Sequence, residues 1–164
     1  MTLHRRTLNF AGALVCVGLL GFALYAQFRL GLEPCPLCIF QRITMLALAV
    51  VFLAAALHHP RGRGARVYAG LIALAALATV GVAGRHVYIQ SQPPGTVPAC
   101  GAPLKVLLDM FPVSEVIAKV LRGGGECALI NWTFLGVTMP GWVLIWAVFL
   151  GAVGVYANLR ARAP

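Results

Sequence analysis

Charge is what this sequence has least of. Of 164 residues only 10% are charged and four are acidic, while 60% are apolar and the mean hydropathy is +0.87. Soluble domains carry roughly 25% charged residues, so a globule bathed in water is excluded and the solvent is lipid. Linkers, low-complexity tracts and convincing internal repeats are also missing, and residues 1–164 are expected to form a single integral membrane domain. The first apolar run is longer than a signal core and no clear A-x-A cleavage site follows it. Despite the faint twin-arginine look of Arg5-Arg6, an uncleaved first helix is expected. The basic residues fall in short clusters without aromatic interleaving, so the net charge of +9 is not a nucleic-acid footprint.

What is present is four long apolar runs, at about 8–28, 39–57, 67–84 and 141–159. A helix of roughly 20 residues crosses a hydrocarbon core about 30 Å thick. Lipid offers no partner to backbone amides, and the alternation of a barrel is absent. The expected fold class is therefore all-α: a four-transmembrane-helix bundle with two outer loops, about 29–38 and 85–139. Arg5, Arg6, Arg61, Arg63, Arg66, Arg160 and Arg162 fall on one side without any acid, whereas Glu33, Asp109, Glu115 and Glu126 fall on the other. The arginine side is expected to be cytoplasmic, with both termini on it.

The long loop carries Leu104, Leu107, Leu108 and Phe111 at i, i+3, i+4 and i+7, and after Pro112 the spacing returns in Val113, Val116, Ile117 and Val120. Two short amphipathic helices are predicted, with Lys105–Asp109 and Glu115–Lys119 as i, i+4 pairs. Their apolar stripes suit either the membrane interface or the top of the bundle. Gly123, Gly124 and Gly125 then end the second of them just before Cys127; a soft hinge and an ordinary flexible loop both account for them.

Five cysteines are present. Cys16 falls in mid-span and reads as a small buried apolar residue. Cys35, Cys38, Cys100 and Cys127 fall in the outer loops or at their edge, on the side where disulfides persist. With Pro36 at the first helical position, Cys35 caps the second helix, Cys38 sits in its first turn and Arg42 follows one turn later on the same face. A helix N-terminus and a nearby cation both favour the thiolate, the nucleophilic form of cysteine. An arginine within a span is costly; stabilising Cys38 is one use for Arg42, and snorkelling to headgroups is the plainer one.

Other uses of these cysteines fit less well. Ile39 stands where covalent haem attachment wants histidine, and Cys100 and Cys127 are 27 positions apart, not the close second pair of a four-cysteine zinc site, so no metal is expected. A transporter would want several charges within the spans, where Arg42 stands alone. Two stable structural disulfides in a membrane assembly protein without enzymatic activity remain the alternative.

The four spans, "CPLC" with Arg42 four residues on, the pair Cys100 and Cys127, and "WTFLGVTMPGW" at 132–142 together resemble the disulfide bond formation protein B family, DsbB, of bacterial inner membranes, over nearly the whole chain. The resemblance implies a quinone-dependent protein-thiol oxidase that reoxidises a periplasmic DsbA-like oxidoreductase and passes the electrons to ubiquinone or menaquinone. It implies redox-active disulfides Cys35–Cys38 and Cys100–Cys127. The partner would attack Cys100, Cys127 would then attack Cys35, and Cys38 would be released beside Arg42 and the quinone. In "GRHVYIQ", Arg85 and His86 lie near the expected quinone headgroup; His86 is a candidate hydrogen-bond donor to it or an interfacial anchor.

Overall fold

The computed structural model describes residues 5–93 and 104–160. Its frame is four long helices, α1 (Arg5–Leu30), α2 (Pro36–His58), α3 (Arg63–Gln90) and α7 (Met139–Arg160), each long and apolar enough to cross a membrane. Between α3 and α7 lie the short helices α4 (Leu104–Met110), α5 (Val113–Arg122) and α6 (Gly125–Ala128), then a hairpin of β1 (Thr133–Phe134) and β2 (Val137–Thr138). The bundle closes in the cyclic order α1–α2–α3–α7.

Helix ends follow local chemistry. Leaving α1, Gly31 takes a left-handed φ of 67° and the Leu32 amide reaches back to the Ala26 carbonyl at 3.2 Å, a glycine-ended C-cap. Pro36, which has no N–H to lose, opens α2 behind the cap residue Cys35. The third helix runs past the expected boundary near residue 84. Nothing in "RHVYIQ" breaks a helix, so at 28 residues it is about 42 Å long and outreaches a core of about 30 Å.

Small residues set the helix spacing. The Phe52 ring fills a slot between Gly12 and Gly154, where an added Cβ would lie 2.9 and 2.6 Å from the ring. Around it pack Cys16, Leu48 and Ile72. Outward, Leu14, Val17, Leu46, Val50, Leu74, Leu77 and Val148 are exposed, so the helices are apolar on both faces, as lipid requires. At one end the first and last spans are joined by reciprocal amide bonds, Asn158 Nδ2 to Asn9 Oδ1 at 2.8 Å and Asn9 Nδ2 to Asn158 Oδ1 at 3.3 Å, both side chains fully buried.

The two amphipathic helices form over the predicted stretches. Val116 and Val120 of α5 are buried against Leu37 and Ile89 at the far end of the bundle, so part of the stripe packs downward, while Val113 and Ile117 face outward. Lys119 Nζ stands 4.0 Å from the centre of the Phe111 ring. The hairpin inside "WTFLGVTMPGW" was not expected. Leu135 and Gly136 both take positive φ, 51° and 77°, the backbone of a type I′ turn, and Trp142 Nε1 donates to the Phe134 carbonyl at 3.1 Å.

Candidate redox site

The site grows from the N-terminus of α2. Cys35 is the cap residue in extended backbone, and its Sγ accepts the Cys38 amide at 3.3 Å. The two sulfurs then lie 3.0 Å apart at the positive end of the helix. One turn further, Arg42 is tied sideways to α1: its guanidinium donates to Gln27 Oε1 and, at 3.1 Å, to the Ala23 carbonyl. Those bonds keep it on the α1–α2 seam, so the charge is fixed beside the cysteines instead of snorkelling freely.

The extra turns of α3 bring in His86, only 2% exposed. Its Nε2 is 3.1 Å from the Cys127 carbonyl and 3.7 Å from Cys35 Sγ, while Nδ1 is 3.3 Å from Gln41 Nε2. A carbonyl only accepts, so Nε2 carries the hydrogen and Nδ1 accepts from the Gln41 amide. His86 is thus no interfacial anchor, and both its nitrogens are engaged by the protein. Arg85 does not face the cysteines; it caps α5, with Nε to Leu121 O at 2.8 Å and Nη2 to Arg122 O at 3.0 Å.

That cap delivers the glycine tract. Gly123, at φ 82°, passes so close to Ile89 that a Cβ would lie 2.3 Å from Ile89 Cδ1, so only glycine fits. Gly125 already belongs to the helical turn α6, which buries Cys127 against α2 and α3. The sulfurs of Cys35 and Cys127 and a ring nitrogen of His86 all lie within 4.8 Å of one another.

The electrostatics of the cluster are unequal. Hydrogen bonding from Cys35 pulls the Cys127 thiol down to about 6; burial opposes this, and backbone contributions from Leu37 and Gly124 assist it. Cys35, which donates to Cys127 and then to Cys38 and is also buried, is pushed well above the ordinary thiol range. Cys35 therefore holds its proton beside a better nucleophile, Cys127.

Beside the sulfurs opens a cavity of about 110 Å³, many times the ~10–15 Å³ a water needs. Cys35, Cys38, Arg42 and His86 line one part of it, and Leu19, Leu20, Met45 and Val143 the apolar remainder. Gln90, which also lines the cavity, has a buried Oε1 with no hydrogen-bond partner among the described residues. Of the sequence-derived candidates, Cys35, Cys38, Cys127, Arg42 and His86 come together here. Cys100, and with it the Cys100–Cys127 pairing, lies outside the described residues. Gln27, Gln41 and Gln90 were missed, although amides in apolar helices are a usable signal.

The chain matches the family described as Disulfide bond formation protein DsbB over residues 5–157. It is 47% identical to Disulfide bond formation protein B of Nitrosococcus oceani, across 95% of this chain and 92% of that one. The corresponding protein of Methylococcus capsulatus is 51% identical over 90% of each chain. That of Chromobacterium violaceum is 52% identical over 88% of this chain and 85% of its own. Four membrane-spanning helices, a sulfur cluster at one end and this similarity along almost the whole length lead to one conclusion: the chain belongs to the disulfide bond formation protein DsbB family.

Proposed function

We propose that this disulfide-forming membrane oxidoreductase reoxidises a periplasmic DsbA-like partner by thiol–disulfide exchange and delivers the electrons to membrane quinone. The observation that carries the reading is the sulfur cluster: Cys38 touches Cys35 at 3.0 Å, and Cys127 lies within 4.8 Å of Cys35. In the oxidised resting chain, Cys100–Cys127 and Cys35–Cys38 are the two disulfides. The partner's thiolate attacks Cys100, forming a mixed disulfide and releasing Cys127 as a thiolate. Cys127 attacks Cys35, and Cys38 leaves as a thiolate beside Arg42. The partner's second cysteine resolves the mixed disulfide, and Cys100 recovers Cys127 from Cys35. Cys35 and Cys38 are then the dithiol that holds the two electrons.

The residues present fit a quinone. The cavity is mainly apolar, Arg42 supplies a fixed cation, and the Gln90 Oε1, unpartnered among the described residues, is an acceptor for a hydroxyl hydrogen. A quinone held there supplies the two-electron, two-proton acceptor that a strongly oxidising DsbA-like partner demands. His86, by gripping the Cys127 carbonyl, holds α6 over Cys35. The arginine asymmetry supports cytoplasmic termini in a bacterial inner membrane, with the sulfur cluster on the periplasmic side.

The test is quinone reduction by the purified protein with a reduced CxxC partner, resolved by stopped flow. The wild type is expected to consume two partner thiols per quinone. Arg42→Ala is expected to slow quinone reduction by about 10²-fold, the scale of losing one preorganised charge contact, and to spare the first exchange at Cys100. Absence of quinone reduction in the wild type would refute the reading.

A further inference from the structure

Sequence spacing argued against a metal, because the second cysteine pair is not a close one. The fold removes that objection by bringing residues from three elements to one point. Cys35 precedes α2, Cys127 sits on α6 and His86 on α3, all buried, with their ligand atoms within 4.8 Å of one another. Cys38 Sγ, 3.0 Å from Cys35 Sγ, stands just outside that triangle. With the Cys38 side chain turned inward, three sulfurs and one imidazole make a Cys₃His donor set, one of the sets that bind zinc tetrahedrally.

We propose that the reduced chain binds one Zn²⁺ through Cys35, Cys38, Cys127 and His86, and that the ion arrests thiol exchange until it is removed. With Zn–S near 2.3 Å, a tetrahedral site has sulfur–sulfur edges of about 3.8 Å. The Cys35–Cys38 contact therefore opens by about 0.8 Å as the Cys38 side chain turns toward Cys127 and His86, and the edges of the 4.8 Å triangle close by up to about 1 Å. The give comes from α6, a single turn entered through Gly123 and Gly124.

The surroundings suit the ion. Cys38 N–H already donates to Cys35 Sγ at 3.3 Å, the kind of outer hydrogen bond that steadies a metal-bound thiolate. Ligation through His86 Nε2 moves the ring hydrogen to Nδ1, and a half-turn of the Gln41 amide converts it from donor to acceptor for that hydrogen. Three thiolates with Zn²⁺ leave one negative charge, and Arg42 lines the same cavity as Cys35 and Cys38. Binding is not a redox step: the sulfurs bind as thiolates, any remaining S–H protons leave to solvent, and three sulfur–zinc bonds and one nitrogen–zinc bond form. The site requires only reduced cysteines, so it stands whether or not quinone is the electron acceptor.

The experiment uses the full chain in detergent, freed of quinone, reduced with a phosphine and titrated anaerobically with Co²⁺, then with Zn²⁺. One Co²⁺ per chain is expected to bind with sulfur-to-cobalt charge-transfer bands and tetrahedral d–d bands. Zn²⁺ is expected to bleach them, with release of the protons that the ligand thiols still hold at the working pH. Cys127→Ser, nearly isosteric, carries the decision and is expected to weaken binding at least about tenfold, as is His86→Ala. The circular dichroism of each variant verifies that it is folded. Cys16→Ala and Cys100→Ser are expected to bind Co²⁺ as the wild type does, and the fully oxidised wild type to bind none. Absence of the bands in the reduced wild type, their survival in Cys127→Ser, or their loss in Cys100→Ser would overturn the assignment.

Discussion

Two buried cysteines divide this molecule into regions of different chemistry. Cys16 lies in the middle of the bundle among Ala13, Leu48, Phe52 and Ile72, and Cys127 lies at the outer end among Leu37, Ile89, Val116 and Cys35. They are almost equally hidden, at 0% and 1% exposure. The mid-bundle sulfur sits in an apolar cluster. The outer one has a thiol donor and helix-turn amides within reach, and these hold its proton affinity down despite the burial. Hiding a sulfur makes it inert only where nothing nearby stabilises its anion.

The strongest way to break the contrast is to remove each sulfur in turn. Cys127→Ser is expected to reduce partner-driven quinone reduction to background, whereas Cys16→Ala should leave the rate within about twofold and cost only about 1 kcal/mol of stability, the scale of a small core truncation. Steady-state turnover and thermal unfolding measure the two sides, and equal loss of activity in both variants would erase the distinction.

A smaller effect concerns proton affinity. In the reduced, quinone-free protein, alkylation of Cys127 by a small reagent should titrate with a midpoint near 6. The folded state lowers this pKa, so the reactive thiolate persists above that pH and is lost as pH falls through it, about tenfold in rate per unit below the midpoint. Peptide mapping after a timed pulse reads each site separately, and Cys16 should stay unlabelled until the chain unfolds. A Cys127 midpoint near the ordinary value of about 8.5 would remove the electrostatic half of the comparison.

The smallest expected effect extends the contrast to the backbone. Gly123→Ala forces a side chain into φ 82° and against Ile89, and should destabilise by about 1–3 kcal/mol. Gly18→Ala, in open space on α1, should be neutral or stabilising by up to about 1 kcal/mol. Thermal unfolding of the two variants in the same detergent compares them, and a neutral Gly123→Ala would mean that the tract is merely soft.

The spacing of residues close in sequence was readable in advance. Runs of apolar residues located the spans, Pro36 located the start of α2, and the i, i+3, i+7 relation put Cys35, Cys38 and Arg42 on one face. Contacts between distant elements were not readable. His86 meets Cys127 across 41 residues and Gln41 across 45, and no periodicity reports such a meeting. Asn9 and Gln27 are polar residues in an otherwise apolar run, but their partners, Asn158 and Arg42, emerge only when the bundle closes. The hairpin at 133–138 was hidden because two-residue strands carry too little alternation to register.

The Asn9–Asn158 pair has a consequence for biogenesis. Its members are 149 residues apart, so during synthesis the first span enters the bilayer long before its partner exists. Until the last helix arrives, Asn9 presents a bare carboxamide to lipid or borrows a temporary partner, an arrangement that costs on the order of 1 kcal/mol. A truncated or wrongly threaded chain never gives that group its Asn158 partner. The amide pair thus gives the membrane's quality control a physical mark by which an unfinished copy differs from a finished one.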